Sequence, residues 1–260
     1  MVRGLAPCLA VVLAACGHHE QIQEKVTLVA AGEAPRRALV YAAPGQAARV
    51  RIETGTSVQG HPGLRTRLVV AYAPDGGTGD RRQAVRIEAA EPAEVPADMG
   101  ADERRIFEGV FAAVRGHGGT LVTDARGRLR SLSTGGAAVR IDPYTFEELA
   151  AALVVPLPDE PVGLHARWEA KTPKGTRRFE LAGIEGDVLR VRVDGEGREG
   201  DDERRVERRG RGELAIRLDR LAPVEGRLEE SIRQTVRFAL KDEPHETTAE
   251  ITASIVVGSP

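Results

Sequence analysis

The chain has 260 residues, 41% hydrophobic and 29% charged, with a net charge of −2 at neutral pH. This is a globular composition, and its near-neutral balance gives no basic field that would favour nucleic acid. Cys8 and Cys16 are the only cysteines, so the rest of the chain has no disulfide, no thiol catalysis and no cysteine-based metal site.

The first element is a targeting pattern. Arg3 precedes a mostly apolar run over 5–15, too short to span a bilayer as an anchor but the right length for a secretory signal. The run ends Leu13-Ala14-Ala15-Cys16. This resembles the lipobox of bacterial lipoproteins, in which small residues precede a cysteine. The resemblance implies a signal peptide over 1–15, cleavage before Cys16, and lipid on the Cys16 sulfur and new amino terminus. Gly17 stands where an aspartate would retain an enteric lipoprotein in the inner membrane. The resemblance therefore implies an outer-membrane anchor, facing the periplasm, in a Gram-negative host. Residues 16–35 read as a lipidated tether holding the domain off the membrane, with a first strand at 25–30.

Beyond the tether the apolar residues alternate. Leu39 and Tyr41, Val50 and Ile52, Leu64 through Tyr72, and Val85 and Ile87 each recur at period two, with arginine or glutamate between several of them. That is the pattern of antiparallel strands with one solvated face. A Pro-rich break over 91–100 precedes a helix over 102–115, whose apolar stripe includes Ile106, Phe107, Val110, Phe111 and Val114 and which Gly116 can cap. Two short strands flank a turn at 124–127, shaped by Asp124. A second helix over 145–154 opens with the capping box Thr145/Glu148 and the staple Tyr144/Leu149, presents Phe146 on its apolar side, and stops at Pro156 and Pro158.

The remainder is again strands, with Trp168 the only tryptophan and a charged stretch over 196–211 that reads as a solvated hairpin tip. The runs PLPDEPVGLHARW (156–168) and GELAIRLDRLAPVEGRLEESI (212–232) resemble uncharacterised β-rich bacterial lipoproteins, and the resemblance implies a half-barrel with a helix across its concave side. An echo between 39–53 and 166–181 suggests two half-barrel-like repeats. The expected fold is thus mainly β (α+β): antiparallel meanders with two amphipathic helices between them, an N-terminal half over 36–155 and a C-terminal half over 156–260.

The chemistry-bearing residues form no motif. His18, His19, His61, His117, His165 and His245 show no metal-ligand spacing, no serine lies in a Gly-x-Ser-x-Gly or Ser-x-x-Lys context, and the carboxylates read as solvated faces. The expectation is a protein without metal or cofactor, bound to the membrane through Cys16. Its function is expected to be a non-catalytic binding or carrier module for an apolar ligand. Phe107, Phe111, Tyr144, Phe146 and Trp168 either line that cavity or fill the core. A structural or assembly partner that docks another envelope protein through a sheet edge is the alternative, and an enzyme of unknown type the third reading; an envelope protein or a lipid is the expected partner.

In a Gram-negative host, the intact chain should gain the mass of about two to three acyl chains and partition into detergent. Cys16→Ala should lose both properties, as read by intact-mass spectrometry and phase partitioning.

Overall fold

The structure, a computed structural model, describes residues 19–42, 46–59, 61–75, 81–94, 100–135, 139–141, 144–200, 204–240 and 243–260. The signal run, the lipobox with Cys16, and the Phe107 side chain lie outside the described residues.

Strands β1 (His19–Gln21), β2 (Lys25–Ala30), β3 (Ala48–Val58), β4 (His61–Pro74) and β5 (Arg81–Pro92) precede helix α1 (Ala101–Val114). Then β6 (Gly118–Thr123), β7 (Leu129–Thr134), β8 (Arg140–Ile141) and β9 (Tyr144–Thr145) lead into helix α2 (Phe146–Ala152). The second half contains β10 (Arg167–Thr172), β11 (Gly175–Glu185), β12 (Val188–Gly200), β13 (Arg204–Arg217), β14 (Glu225–Leu240) and β15 (Glu243–Gly258). The alternation does what the sequence implies: in β3, Val50 and Ile52 are buried while Arg49 and Arg51 face solvent.

One meander runs β3 to β7 and another β10 to β15, and β3 pairs antiparallel with β15, so both belong to one thirteen-stranded sheet. The two halves share that sheet and its core rather than forming separate half-barrels. The edges left over are β7 and β10. The first takes β1 (Gln21 opposite Ser131) and the second takes β2 (Lys25 opposite Lys171). Only Ile22, Gln23 and Glu24 separate those two strands, a span of roughly 10–14 Å at full extension. A single segment therefore lies along both edges and draws the sheet into a barrel. The expected strand at 25–30 is β2, but the expectation of a tether over 16–35 is corrected: the segment over 19–30 pairs with the sheet. The physical reason is that each edge would otherwise present a row of unpaired amides and carbonyls.

Glu24 sits at the seam with its side chain almost fully buried. Its carboxylate accepts the Leu129 amide at 3.0 Å on the β7 side and pairs with Arg177 of β11 at 2.9 Å on the other.

The barrel interior is filled by α2 and the irregular chain after it. Leu149, Ala150, Leu153, Val154, Val155 and Leu157 are all buried. The capping box of α2 is present, with Thr145 accepting the Glu148 amide and Glu148 accepting the Thr145 amide. The helix ends at Ala152, two residues short of the predicted boundary. Its last carbonyls and those beyond it would be orphans in an apolar lumen, but the surrounding structure supplies donors. Tyr72 donates to Ala150 O (3.3 Å), Arg177 to Ala152 O and Val154 O (3.1 and 3.3 Å), and Tyr41 to Val155 O (2.9 Å). Trp168 donates to Pro156 O (2.7 Å), Arg128 to Leu157 O (3.4 Å), and Arg126 to Pro158 O (2.6 Å). Pro156 and Pro158 themselves have no amide to satisfy.

The alternation at Leu39 and Tyr41 belongs to no strand. Both side chains are buried, but the Tyr41 and Ala42 amides donate to Ala125 and Leu218 carbonyls, so this stretch plugs one barrel end. Helix α1 packs against β5 with Phe111 and Val114 buried, and Gly116, at φ +80°, turns the chain after it.

Arg177→Met would leave Glu24 buried without its cation and two carbonyls without donors. We expect a loss of roughly 2–4 kcal/mol in urea unfolding, toward the lower part of the range for broken buried pairs because the guanidinium is 28% exposed. Adding Glu24→Gln should recover part of that loss. Strict additivity of the two changes would show that the pair does not hold the seam.

Candidate functional site

The barrel is plugged at the end that carries the turns after β6, β11 and β13. Toward the other end, where β1 enters and the hairpins joining β12 to β13 and β14 to β15 lie, a cavity of about 290 Å³ remains. That is near the lower limit of ligand-sized pockets, roughly 300–1,000 Å³. Ile22, Leu129, Leu132, Val193, Leu228 and Ile255 give it an apolar wall, and Ala151 and Ala152 of α2 line it as well.

Two glycines face each other in its wall. Gly195 of β12 lies directly opposite Gly210 of β13 in the ladder, and both line the cavity. A Cβ added at Gly195 would meet nothing closer than 3.9 Å, and one at Gly210 nothing closer than 3.5 Å. Gly212, two residues on, is different: a Cβ there would meet the Arg227 carbonyl at 2.0 Å, so that glycine permits strand approach. The inward register of β12 thus runs Leu189, Val191, Val193, then Gly195 and Gly197, and at Gly197 a Cβ would meet the Lys174 carbonyl at 2.6 Å, so that glycine too permits close backbone approach.

Charged groups ring the cavity in pairs. Lys174, in the turn between β10 and β11, bridges Glu20 (3.2 Å) and Glu148 (3.4 Å). Arg208 pairs with Glu199 (3.0 Å), lies 4.0 Å from Glu230, and stacks over the Tyr144 ring at 5.6 Å. Tyr144 donates a short hydrogen bond to Glu230. Burial, then the neighbouring Glu230 carboxylate, pushes the Tyr144 phenol well above its ordinary range, so it remains a donor. Burial also raises the pKa of Glu230 against the opposing pull of Tyr144 and Arg208. For Glu148 burial works against the charge, but the Thr145 backbone, Lys174 and Arg208 outweigh it and its pKa is lowered. An apolar tail fits such a chamber, while the mouth can orient a polar head.

Of the predicted aromatics, Tyr144 lines the cavity. Phe111, Phe146 and Trp168 are buried and are not among its lining residues. Trp168 stacks on Phe179 at 5.6 Å and Phe146 takes the His117 ring edge-on at 5.8 Å. Their role is to fill the core. His117 pairs with the buried Glu147 at 3.0 Å, whose second carboxylate oxygen has no hydrogen-bond partner. His165 is exposed, 3.6 Å from Glu180. Among the described residues no cluster of three metal-type ligands occurs. Asp124 shapes its turn by accepting the Arg126 and Arg128 amides.

The stretch over 196–211, read from sequence as a solvated tip, is instead paired strand on both sides of 201–203, and it forms one wall of the cavity. Apart from the buried Val206 its inward residues are glycines or paired charges, so no apolar stripe announced it.

Comparison with protein-family models, curated proteins and solved structures gives no match to this chain.

Unfolded, Glu230 ionises near the ordinary 4.5 of a glutamate, and folded it keeps its proton to higher pH. Across that window the folded state binds more protons than the unfolded one, so this residue costs stability as pH rises. Glu230→Gln keeps an acceptor for Tyr144 and removes the ionisation. Its urea midpoint should decline less than the parent's from pH 4.5 upward, and parallel profiles would show that burial does not shift Glu230.

Proposed function

We propose that this chain is a lipid-anchored envelope protein of the outer membrane, facing the periplasm, that binds an apolar ligand in its barrel cavity without transforming it. The observation that carries the reading is the facing pair Gly195 and Gly210. Beside them a chamber of about 290 Å³ remains, with Val193, Leu228 and Ile255 among its apolar lining and Arg208 and Glu230 among its charged lining. A well-packed core closes such space with side chains. The anchor follows from the Leu13-Ala14-Ala15-Cys16 motif. Docking through a sheet edge has less to stand on, because β7 and β10 already carry β1 and β2.

The test is titration of the domain from His18 onward with a fluorescent dansyl-labelled C11 fatty acid. Saturable one-to-one binding is expected. Gly195→Leu adds a side chain at the chamber wall, where its Cβ meets nothing closer than 3.9 Å, and should weaken binding at least about tenfold, roughly 1.4 kcal/mol, while leaving the urea midpoint close to the parent's. Equal affinity in both proteins, or no binding in either, would overturn the reading.

A further inference from the structure

We infer that the barrel stands with its open mouth against the membrane, so that an acyl chain passes between bilayer and cavity without crossing water. The inference rests on the proposed lipid at Cys16 and on where the described chain begins. Strand β1 opens at His19, and the next residues, Glu20, Gln21 and Ile22, line the cavity. Cys16 and Glu20 are four residues apart, so their α-carbons are separated by no more than roughly 14 Å at full extension. A strand such as β14, with 16 residues, measures roughly 50 Å along its own axis. The spacer is therefore too short to let the barrel turn over, and the plugged end cannot be the one at the lipid.

The position of Glu20 is fixed by more than strand pairing. Lys174 holds it at 3.2 Å and also holds Glu148 at the amino end of α2, while Gln21 is opposite Ser131 of β7. The chain thus leaves the barrel at the mouth itself. At the far end the Asp159 carboxylate pairs with Arg126 and Arg128, which also donate to the last carbonyls of the plug. A chain delivered at the mouth can lie against the apolar wall of Ile22, Leu129 and Leu132, while its polar head stays among the ion pairs of the rim.

The mature chain has no cysteine besides Cys16, so an introduced one labels uniquely. Pro173→Cys, in the exposed turn at the mouth, and Glu160→Cys, exposed beside Asp159 at the plugged end, would carry a nitrobenzoxadiazole fluorophore. The lipidated proteins are placed in phosphatidylcholine vesicles with and without nitroxide-labelled lipid. The label at 173 should be quenched about twofold or more and the label at 160 unchanged. Inserting a 15-residue Gly/Ser spacer between Gly17 and His18 should abolish the difference. Equal quenching at both positions, or quenching at 160 alone, overturns the orientation while leaving the anchor standing. Failure of the protein to associate with vesicles overturns the anchor and the orientation together. Binding of the fluorescent fatty acid to the unanchored domain is read separately and reports on the cavity alone.

Discussion

Everything in this barrel is arranged around a stretch of irregular backbone that runs through its interior. From Ala150 to Pro158 the chain carries carbonyls into an apolar lumen, where each unpaired group would cost about 1–3 kcal/mol. Tyr41, Tyr72, Arg126, Arg128, Trp168 and Arg177 meet them one by one. These donors come from β4, β10, β11, the turn between β6 and β7, and the stretch before β3. The plug can seat only when the sheet has curled far enough to bring them together.

That requirement ties the two ends of the sheet to its contents. Arg177 serves both, donating to the plug and pairing with Glu24, which in turn holds the Leu129 amide across the seam. The plug also decides where space is left. It fills the barrel toward the turns after β6 and β13. The cavity lies beside α2, lined by Tyr144, Glu148, Ala151 and Ala152. Its walls are apolar where they meet the plug and charged where they meet the outside.

Much of the scaffold was legible in the sequence. The alternation in β3, β4, β5 and β12 identified strands because one face is buried and the other solvated. The capping box identified α2 because its residues act within one turn. Features that depend on distant pairings were not legible. Nothing local to residues 19–30 says that this stretch lies on both edges of a sheet whose strands come from over a hundred residues away. Leu39 and Tyr41 alternate as a strand would, but they do so to seal a barrel end. The site was harder still, since a cavity is made by side chains that are missing. Aromatic residues at helical or strand spacing look the same whether they line a pocket, as Tyr144 does, or fill a core, as Phe146 and Trp168 do.

Amide hydrogen exchange of the domain, with and without saturating dodecanoate, tests the central claim most directly: that a plugged barrel keeps one apolar chamber at its open end. The amides of the non-proline residues over 150–158 should exchange at the global limit in both states, and added protection should appear at the amides over 21–24, 174–177 and along the strands flanking 195 and 210. Fast exchange of the plug, or ligand protection at the plugged end in place of the mouth, would contradict the account.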